Sequence, residues 1–567
     1  MKKTLALSTC FLFTAFLSFS QSPTWLWAAN SSGNGLETGY CVASDKSSNA
    51  YITGSYVYNI TFGATTLNDV QGSTDIFVAK YDSSGNAIWA KTAGGNMTDE
   101  AYAVTADKSG NVYVTGYFQS PTITFGSIVL NTIKGGYFLA KYDKNGTIRW
   151  VKHTNNLYYT ISDQGSALTT DSIGNVYITG IFHSDSITLG NFTLHNTKAN
   201  QSDIFLAKYD SSGTVLWARK MGGKSNDFGT GITIDKSGYV YLAGWFESDT
   251  LRFDSTQLYN PNFASNPNNI FLAKYDGAGN LLWAKSADGS VFNGETYGVT
   301  TDGAGNVYFT GYFNSDSVRF GNSTVYKFPN PIIYYNLFVY KCDSSGNAIW
   351  AKSCGGNTNV VGSSIAADEV GNVYLLGGFD GDTIYFDSTA ITQPLNSSQP
   401  MVVFTLGPAG NILCSDAFLS GGNYQNGICL DNAGNAYIGG NYGGSTIFYI
   451  GNDTLTQTGT QNIFVARFHC EGSITTEVKN LTENTTIQIF PNPFNSNATI
   501  KYNIPTGSKN AMLIIYDQLG RQRCTYKLSN TEGQIEINAI DLSCGIYFCA
   551  LVVDGKNVVT RKMVTQE

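Results

Sequence analysis

At 567 residues the chain is long for a single ordinary domain, and two domains is the economical expectation. Charged residues make up only 13% of it, against about 25% in an average globular protein, while aromatic residues also reach 13%. A net charge of −8 without clustered Lys or Arg excludes a nucleic-acid partner, and 61 Gly beside 35 Tyr and 33 Phe fit an all-β chain of short strands and tight turns.

Residues 1–20 place Lys2 and Lys3 before the apolar run Leu5 to Phe19 and small polar residues, the pattern of a cleavable signal peptide. Residues 22 onward hold no other apolar run long enough to span a bilayer. Removal of Cys10 leaves nine of the ten cysteines, without C-x-x-C or other metal spacing, so no metal, no cofactor and no obligatory disulfide framework is expected.

From residue 48 one phrase recurs seven times, first as Ser48-Asn49-Ala50-Tyr51-Ile52-Thr53-Gly54 and then from Gly110, Gly174, Gly238, Gly305, Gly371 and Gly434. The spacings of 62, 64, 64, 67, 66 and 63 residues, filled with strands, predict propeller blades rather than a helical solenoid. Each period reads as four strands, in the first case Tyr40 to Ser44, Ala50 to Tyr56, Ile76 to Tyr81 and Ala87 to Lys91. Turns such as Asp107 to Asn111 suit a type I turn followed by Gly at positive φ, with the Asp carboxylate accepting turn amides. They lack the alternating ligands and terminal Glu of a calcium loop. The strand bearing Trp recurs at Trp89, Trp150, Trp217, Trp283 and Trp350, is degenerate at Leu413, and is missing after Ile474. Its seventh copy stands at the other end of the chain, as Thr24-Trp25-Leu26-Trp27-Ala28. That segment is expected to pair with Asn462 to Phe468, closing a seven-bladed ring and leaving no bare edge strand.

These units resemble the SBBP-type bacterial seven-bladed β-propeller repeats, whose pattern reads here as Asp107 to Gly116 and Asp203 to Trp217; the resemblance covers roughly residues 23–474, within an expected propeller domain of residues 21–474. The sixth unit departs, with Thr405, Leu406, Gly407 and Cys414 where the others hold Lys, Tyr, Asp and Trp. The repeated Trp and Tyr are expected in the core, and the repeated Lys80, Lys141, Lys208, Lys274 and Lys341 at strand-end carboxylates or solvated edges.

In such a ring the second-to-third and the inter-blade connections emerge on one face, and here both are long, which makes that face the candidate binding surface. Small hairpins such as Ile123-Thr124-Phe125-Gly126 are expected to enlarge it, with aromatic tips at Tyr259, Phe263, Tyr326, Phe328, Tyr334 and Tyr335. Acidic residues precede several innermost strands, at Glu37, Asp99, Asp163, Asp227 and Glu295. They either ring the channel mouth and attract a cation or cationic ligand, or cap their own loops. No catalytic residue is assigned: the four histidines sit in no motif, and neither H-E-x-x-H nor G-x-S-x-G occurs.

Residues 475–486 are polar and break the repeat phase, a linker. Residues 487–567 carry strand patterns near Ile487 to Phe490, Ala498 to Ile504, Ala511 to Asp517, Gln534 to Ile537, Gly545 to Val553 and Val558 to Val564, enough for a small Ig-like β-sandwich. Four motifs follow in order: Pro491, Asn492, Pro493 and Phe494; Tyr516 and Asp517 with Gly520; Gly545 and Tyr547; and Lys562 near the end. Together they resemble the type A C-terminal sorting domain of the Bacteroidetes type IX secretion system. The resemblance implies export through that machinery and its sortase, removal of the tail, and either lipopolysaccharide attachment or release. The expected function is an exported, monomeric recognition or scaffold protein that binds a glycan, peptide or protein on the long-loop face. The alternatives are an extracellular carbohydrate-active hydrolase or lyase with carboxylates on that face, and a structural surface protein.

Overall fold

The computed structural model describes residues 22–470 and 486–566 apart from 70–71, 155–162, 255, 262, 264–267, 290–293, 329–333, 388, 394–398, 419–425, 444–446, 505–510, 518–521, 529, 539–541, 543–544 and 554–555. The expected signal peptide, all but the last residue of the expected linker, and Gly520 lie outside the described residues. The chain divides into two compact units, Met1–Ile474 and Thr475–Glu567.

The larger unit is built from antiparallel four-stranded meanders. The first runs Glu37–Ser44, Ala50–Val57, Thr74–Tyr81, Ala87–Gly94, and the second Asp99–Ala106, Val112–Phe118, Gly136–Tyr142, Ile148–His153. Four more follow, with first strands Gln164–Thr170, Asp227–Ile234, Gly294–Thr301 and Val360–Ala367. A seventh takes Gly427–Leu430, Ala436–Gly443 and Gln461–His469 from one end of the unit and Thr24–Asn30 from the other. The expected strand exchange is present, with Thr24 opposite His469, Ala28 opposite Ala466 and Asn30 opposite Phe464. Trp25 wedges between Phe418 and Phe468, ring centroids 5.4 and 5.0 Å away, so this short terminal strand is held by packing as well as by its ladder. The sixth meander keeps regular pairing, Val373 opposite Leu406 and Thr405 opposite Cys414, despite its unusual residues.

Second and third strands read as nearly continuous apolar runs because both their faces are covered; Val112–Phe118 and Asp203–Tyr209 are almost wholly buried. First strands lie side by side in chain order, and that of the seventh meander lies beside that of the first. Turns are fixed as their sequence requires. Asp107 accepts the amides of Ser109 and Asn111 at 2.8 and 3.0 Å and the Asn111 side-chain amide at 2.7 Å, while Gly110 takes φ +77°.

Neighbouring meanders are joined by one repeated bond. The indole Nε1 of Trp89, Trp150, Trp217, Trp283 and Trp350 donates to a turn carbonyl of the next meander, Lys144, Ser211, Gly277, Ser344 and Pro408, at 3.0–3.3 Å. Trp27 does the same to Ser83, at 2.9 Å, from the seventh meander to the first. The repeated lysines sit over Tyr rings and donate to the same carbonyls, as Lys141 does over Tyr113 to Ser211 at 2.8 Å. Lys80 alone among them pairs with a carboxylate, Asp45, at 3.7 Å. At the remaining junction Cys414 occupies the Trp position and Cys470 the position of the accepting residue, and the two form a disulfide.

The small unit has two sheets. One pairs Thr486–Phe490, Asn497–Asn503 and Glu532–Asn538; the other orders Gln522–Leu528, Ala511–Asp517, Gly545–Val553 and Lys556–Thr565. Ile500, Leu513, Ile515, Cys549, Leu551 and Met563 form its core. Gln522–Leu528 was not among the expected strands, although Cys524, Tyr526 and Leu528 alternate there with Arg523, Thr525 and Lys527. The Pro-Asn-Pro-Phe motif is stitched to the last strand, Asn492 bonding Lys562 O and Val564 N at 2.8 Å each, with Phe494 buried. Tyr547 is also buried and pairs in register with Asp517, while Tyr516 opposes Phe548.

Candidate functional site

Every first strand of the first six meanders carries a register shift at one place, which leaves an extra residue between two paired ones. These residues are Tyr40, Tyr102, Ser166, Thr230, Tyr297 and Ser363, each five positions before its turn Asp, and Asn426 stands at the same offset in the seventh. A bulge of this kind re-aims a side chain. All seven line a single cavity of ≈ 790 Å³. Connecting segments add Tyr335, Asn359, Asp380 and Gln399, so the cavity opens among the long connections.

Two aromatic–carboxylate groups stand out in it. Glu295 accepts the Tyr297 hydroxyl at 2.7 Å, and the ring of Tyr312, its cross-strand partner, lies 6.0 Å from Tyr297 and 4.5 Å from Tyr335. Glu100 accepts the hydroxyls of Tyr102 at 3.0 Å and Tyr40 at 3.4 Å, and the two rings meet edge to face at 5.2 Å. Burial raises the Glu100 carboxyl above the usual range, against the lowering effect of both hydroxyls. Burial also pushes Tyr117, opposite Glu100, up to about 12, with the Glu100 charge adding to the shift. Between these groups Phe228 and Trp245 stack at 3.9 Å and 19°.

Four of the five expected acidic residues do not face this cavity. Glu37, Asp99, Asp163 and Asp227 are 0–1% exposed and held by local bonds. Asp99 accepts Gln119 N, Ser120 N and Ser120 Oγ at 2.8–3.2 Å, and Asp163 and Asp227 bind Ser184 and Ser248 in the same manner. Asp99, Asp163 and Asp227 thus cap a connection, meeting backbone amides rather than solvent, while Glu37 accepts the Ser31 hydroxyl. Glu295 lies one residue later in register, opposite Tyr312 where Asp227 lies opposite Phe246, and only it lines the cavity.

Of the six loop aromatics, Tyr335 lines the cavity. Tyr259 and Tyr326, 60% and 69% exposed, and Phe263 lie apart from it, and Phe328 stacks on Tyr385 at 5.2 Å. The hairpins of this repeat reach back to the segment before them: Thr122–Phe125 pairs with Ala87–Gly94 and Thr383–Phe386 with Ala348–Gly356, while in the hairpins of Tyr259 and Tyr326 Arg252 bridges Gly222 and Arg319 opposes Asp288. The bulge ring was missed. Its signal, a fixed offset from the turn Asp, is visible in the sequence, but Tyr, Ser, Thr and Asn at that offset share no chemical type.

Comparison with known proteins fits the strand architecture and the tail. Residues 488–566 match the secretion system C-terminal sorting domain family, and residues 216–245 match the SBBP β-propeller repeat family. The chain is 25% identical over 454 residues to an uncharacterized WD repeat-containing protein, L264, of Acanthamoeba polyphaga mimivirus, covering 65% of this chain and 32% of that one. It is 23% identical to the regulatory protein FlaEY of Caulobacter vibrioides, covering 46% and 28%. The chain thus spans about a third of the length of the curated relatives it matches. Among solved structures it is similar to PorZ, a bacterial surface component of the type IX secretion system of Porphyromonas gingivalis, at 13% identity, 94% and 60% coverage and a TM-score of 0.36. A protein of unknown function from Dyadobacter fermentans matches at 11% identity, 79% and 98% coverage and the same TM-score.

The protein is an exported surface β-propeller protein. Its tail is a type IX sorting domain, which implies interaction with that secretion machinery. Among the described residues no helix is long and apolar enough to cross a membrane.

Proposed function

We propose that residues 21–474 form one closed seven-bladed propeller that recognises an extracellular glycan, peptide or protein in its central cavity. Residues 475–486 are the linker, and residues 487–567 are the sorting domain that the sortase removes on surface attachment or release. The observation that carries the reading is that seven residues at one offset from the turn Asp, six of them bulged from first strands and the seventh Asn426, converge on one ≈ 790 Å³ cavity. A volume of that size suits a small ligand or a single side-chain cluster of a larger one. Its walls combine stacked aromatics with hydroxyls, amides and carboxylates, the mixture that gives both contact area and direction to recognition.

The test is a glycan array and a surface-proteome pull-down with the mature chain, beside Trp245→Ala and Tyr297→Ala. Capture that falls at least tenfold in both variants is the expected result. Capture indifferent to both moves recognition off the cavity. Turnover of a polysaccharide panel without capture replaces recognition with catalysis.

A further inference from the structure

The geometry of the cavity points to an organic cation, an alkylammonium or guanidinium group on a peptide side chain, as the moiety it receives. This rests on the cavity being the binding site. None of the lining residues is Lys, Arg or His, whereas Glu295 and Asp380 are among them and Glu100 stands behind Tyr40 and Tyr102. Among the described residues no salt bridge reaches Glu100 or Glu295. What those two carboxylates accept instead are neutral donors: Tyr hydroxyls and, for Glu295, the Asn268 side-chain amide at 3.4 Å. Such donors orient a carboxylate without cancelling its charge. Seven aromatic side chains share the same walls, Tyr297, Tyr312, Tyr335, Trp245 and Phe228 on one side and Tyr40 and Tyr102 on the other. Aromatic faces next to uncompensated carboxylates attract a desolvated cation by two additive terms.

Elsewhere in the same unit the protein builds this pairing from its own residues. Lys141, Lys208 and Lys341 lie 4.8–5.1 Å from the ring centroids of Tyr113, Tyr177 and Tyr308. In the cavity the rings and the charges are present and the ligand brings the cation.

The test uses the mature chain and isothermal titration with three probes: an end-blocked Ala-Lys-Ala peptide, the same peptide acetylated on the lysine Nζ, and maltotriose. The free ammonium is expected to bind at least tenfold more tightly than its acetylated form, with affinity falling as salt rises. Glu295→Gln and Tyr297→Ala are each expected to weaken it at least tenfold. Equal binding of the two peptides, or no binding of either, overturns the cation. Binding of maltotriose alone, lost in Trp245→Ala, also overturns it while leaving recognition at the cavity standing, so the two readings fail separately.

A different observation carries a second inference: Cys414–Cys470 is a covalent latch standing in for the repeated indole bond at the one junction where the propeller's chain ends. Six junctions use Trp Nε1 and a turn carbonyl. The seventh replaces the donor residue by Cys414 and the acceptor residue by Cys470, with Cα atoms 6.2 Å apart. Cys470 directly follows His469, the residue paired with Thr24. The bond therefore holds the only meander assembled from both ends of the chain, where the fourth strand brings no covalent turn to fix it. Forming it takes two protons and two electrons from the thiols, passed to an oxidised protein dithiol whose own disulfide is reduced to two thiols.

Alkylation of the denatured, unreduced chain of residues 21–567, tail retained, is expected to modify seven of its nine cysteines, and all nine after reduction. Cys414→Ser/Cys470→Ser is expected to unfold at lower urea and to be unmoved by reductant, unlike the natural chain. Nine alkylated cysteines without reduction, or equal urea midpoints for the oxidised natural chain and the double variant, overturns the latch.

Discussion

Glu37 shows what a buried strand-end carboxyl costs. It is fully buried beside the Ser31 hydroxyl, and burial lifts its carboxyl from 4.5 to about 7, while the bonds to Ser31 and Asn462 pull the other way. Asp99 is lifted to about 6 for the same reason. Both carboxyls hold a proton in the folded chain at a pH where the unfolded chain has released it. Their contribution is therefore complete below about pH 4 and is lost as pH rises through 6 to 7. For Glu37 the full loss is at most about 3 kcal/mol. Urea midpoints measured from pH 4.5 to 8 are expected to decline, and Glu37→Gln is expected to flatten much of that decline. A decline unchanged in the variant would remove Glu37 as its source. The acidic letter at this offset was legible because scaffold positions repeat their chemistry, and capping requires it. The cavity positions were not, because no one chemistry repeats there: Tyr297 and Ser363 occupy the same place.

At the level of strands and turns, the junction between meanders was half legible. The sequence marks the Trp strand and the Asp-x-x-Gly turn as separate repeats, and only the fold shows one donating to the other. Trp217 is buried, packs edge-on against Tyr177 at 6.1 Å and reaches Gly277 O at 3.1 Å. Trp217→Phe keeps most of the packing and removes the donor, leaving Lys208 as the remaining partner of that carbonyl. It is expected to cost about 1 kcal/mol. Trp217→Ala opens a cavity as well and is expected to cost about 3–5 kcal/mol. Both are read from urea midpoints at constant slope. The extra hairpins are legible in the sequence as alternating pairs of short strands, but their neighbours are not. Pattern alone shows that Thr122 to Phe125 alternates, but not that it pairs with the preceding meander.

For the whole molecule, the N-terminal strand is the decisive segment, and the sequence exposed it because a Trp strand missing at one end of the repeat array reappears at the other. Deleting residues 23–28 would uncover Ala466 to His469 and remove Trp25 from between Phe418 and Phe468. The truncated chain is expected to unfold at markedly lower temperature in calorimetry, as a unit rather than locally. An unchanged transition would mean that the seventh meander does not support the others.

The Cys414–Cys470 bond has a mechanical meaning too. A protein tethered to a cell by the segment after residue 470 is pulled at that residue whenever its ligand is held elsewhere. Thr24 and His469 lie opposite each other in an antiparallel ladder, so tension entering there peels hydrogen bonds one at a time, the weakest way to load a sheet. With the disulfide in place the tension leaves the chain at Cys470 and enters the fourth strand of the sixth meander, Ile412–Phe418, bypassing the terminal ladder. Shear flow on the cell surface would then strain a covalent bond before it reached the chain's own seam.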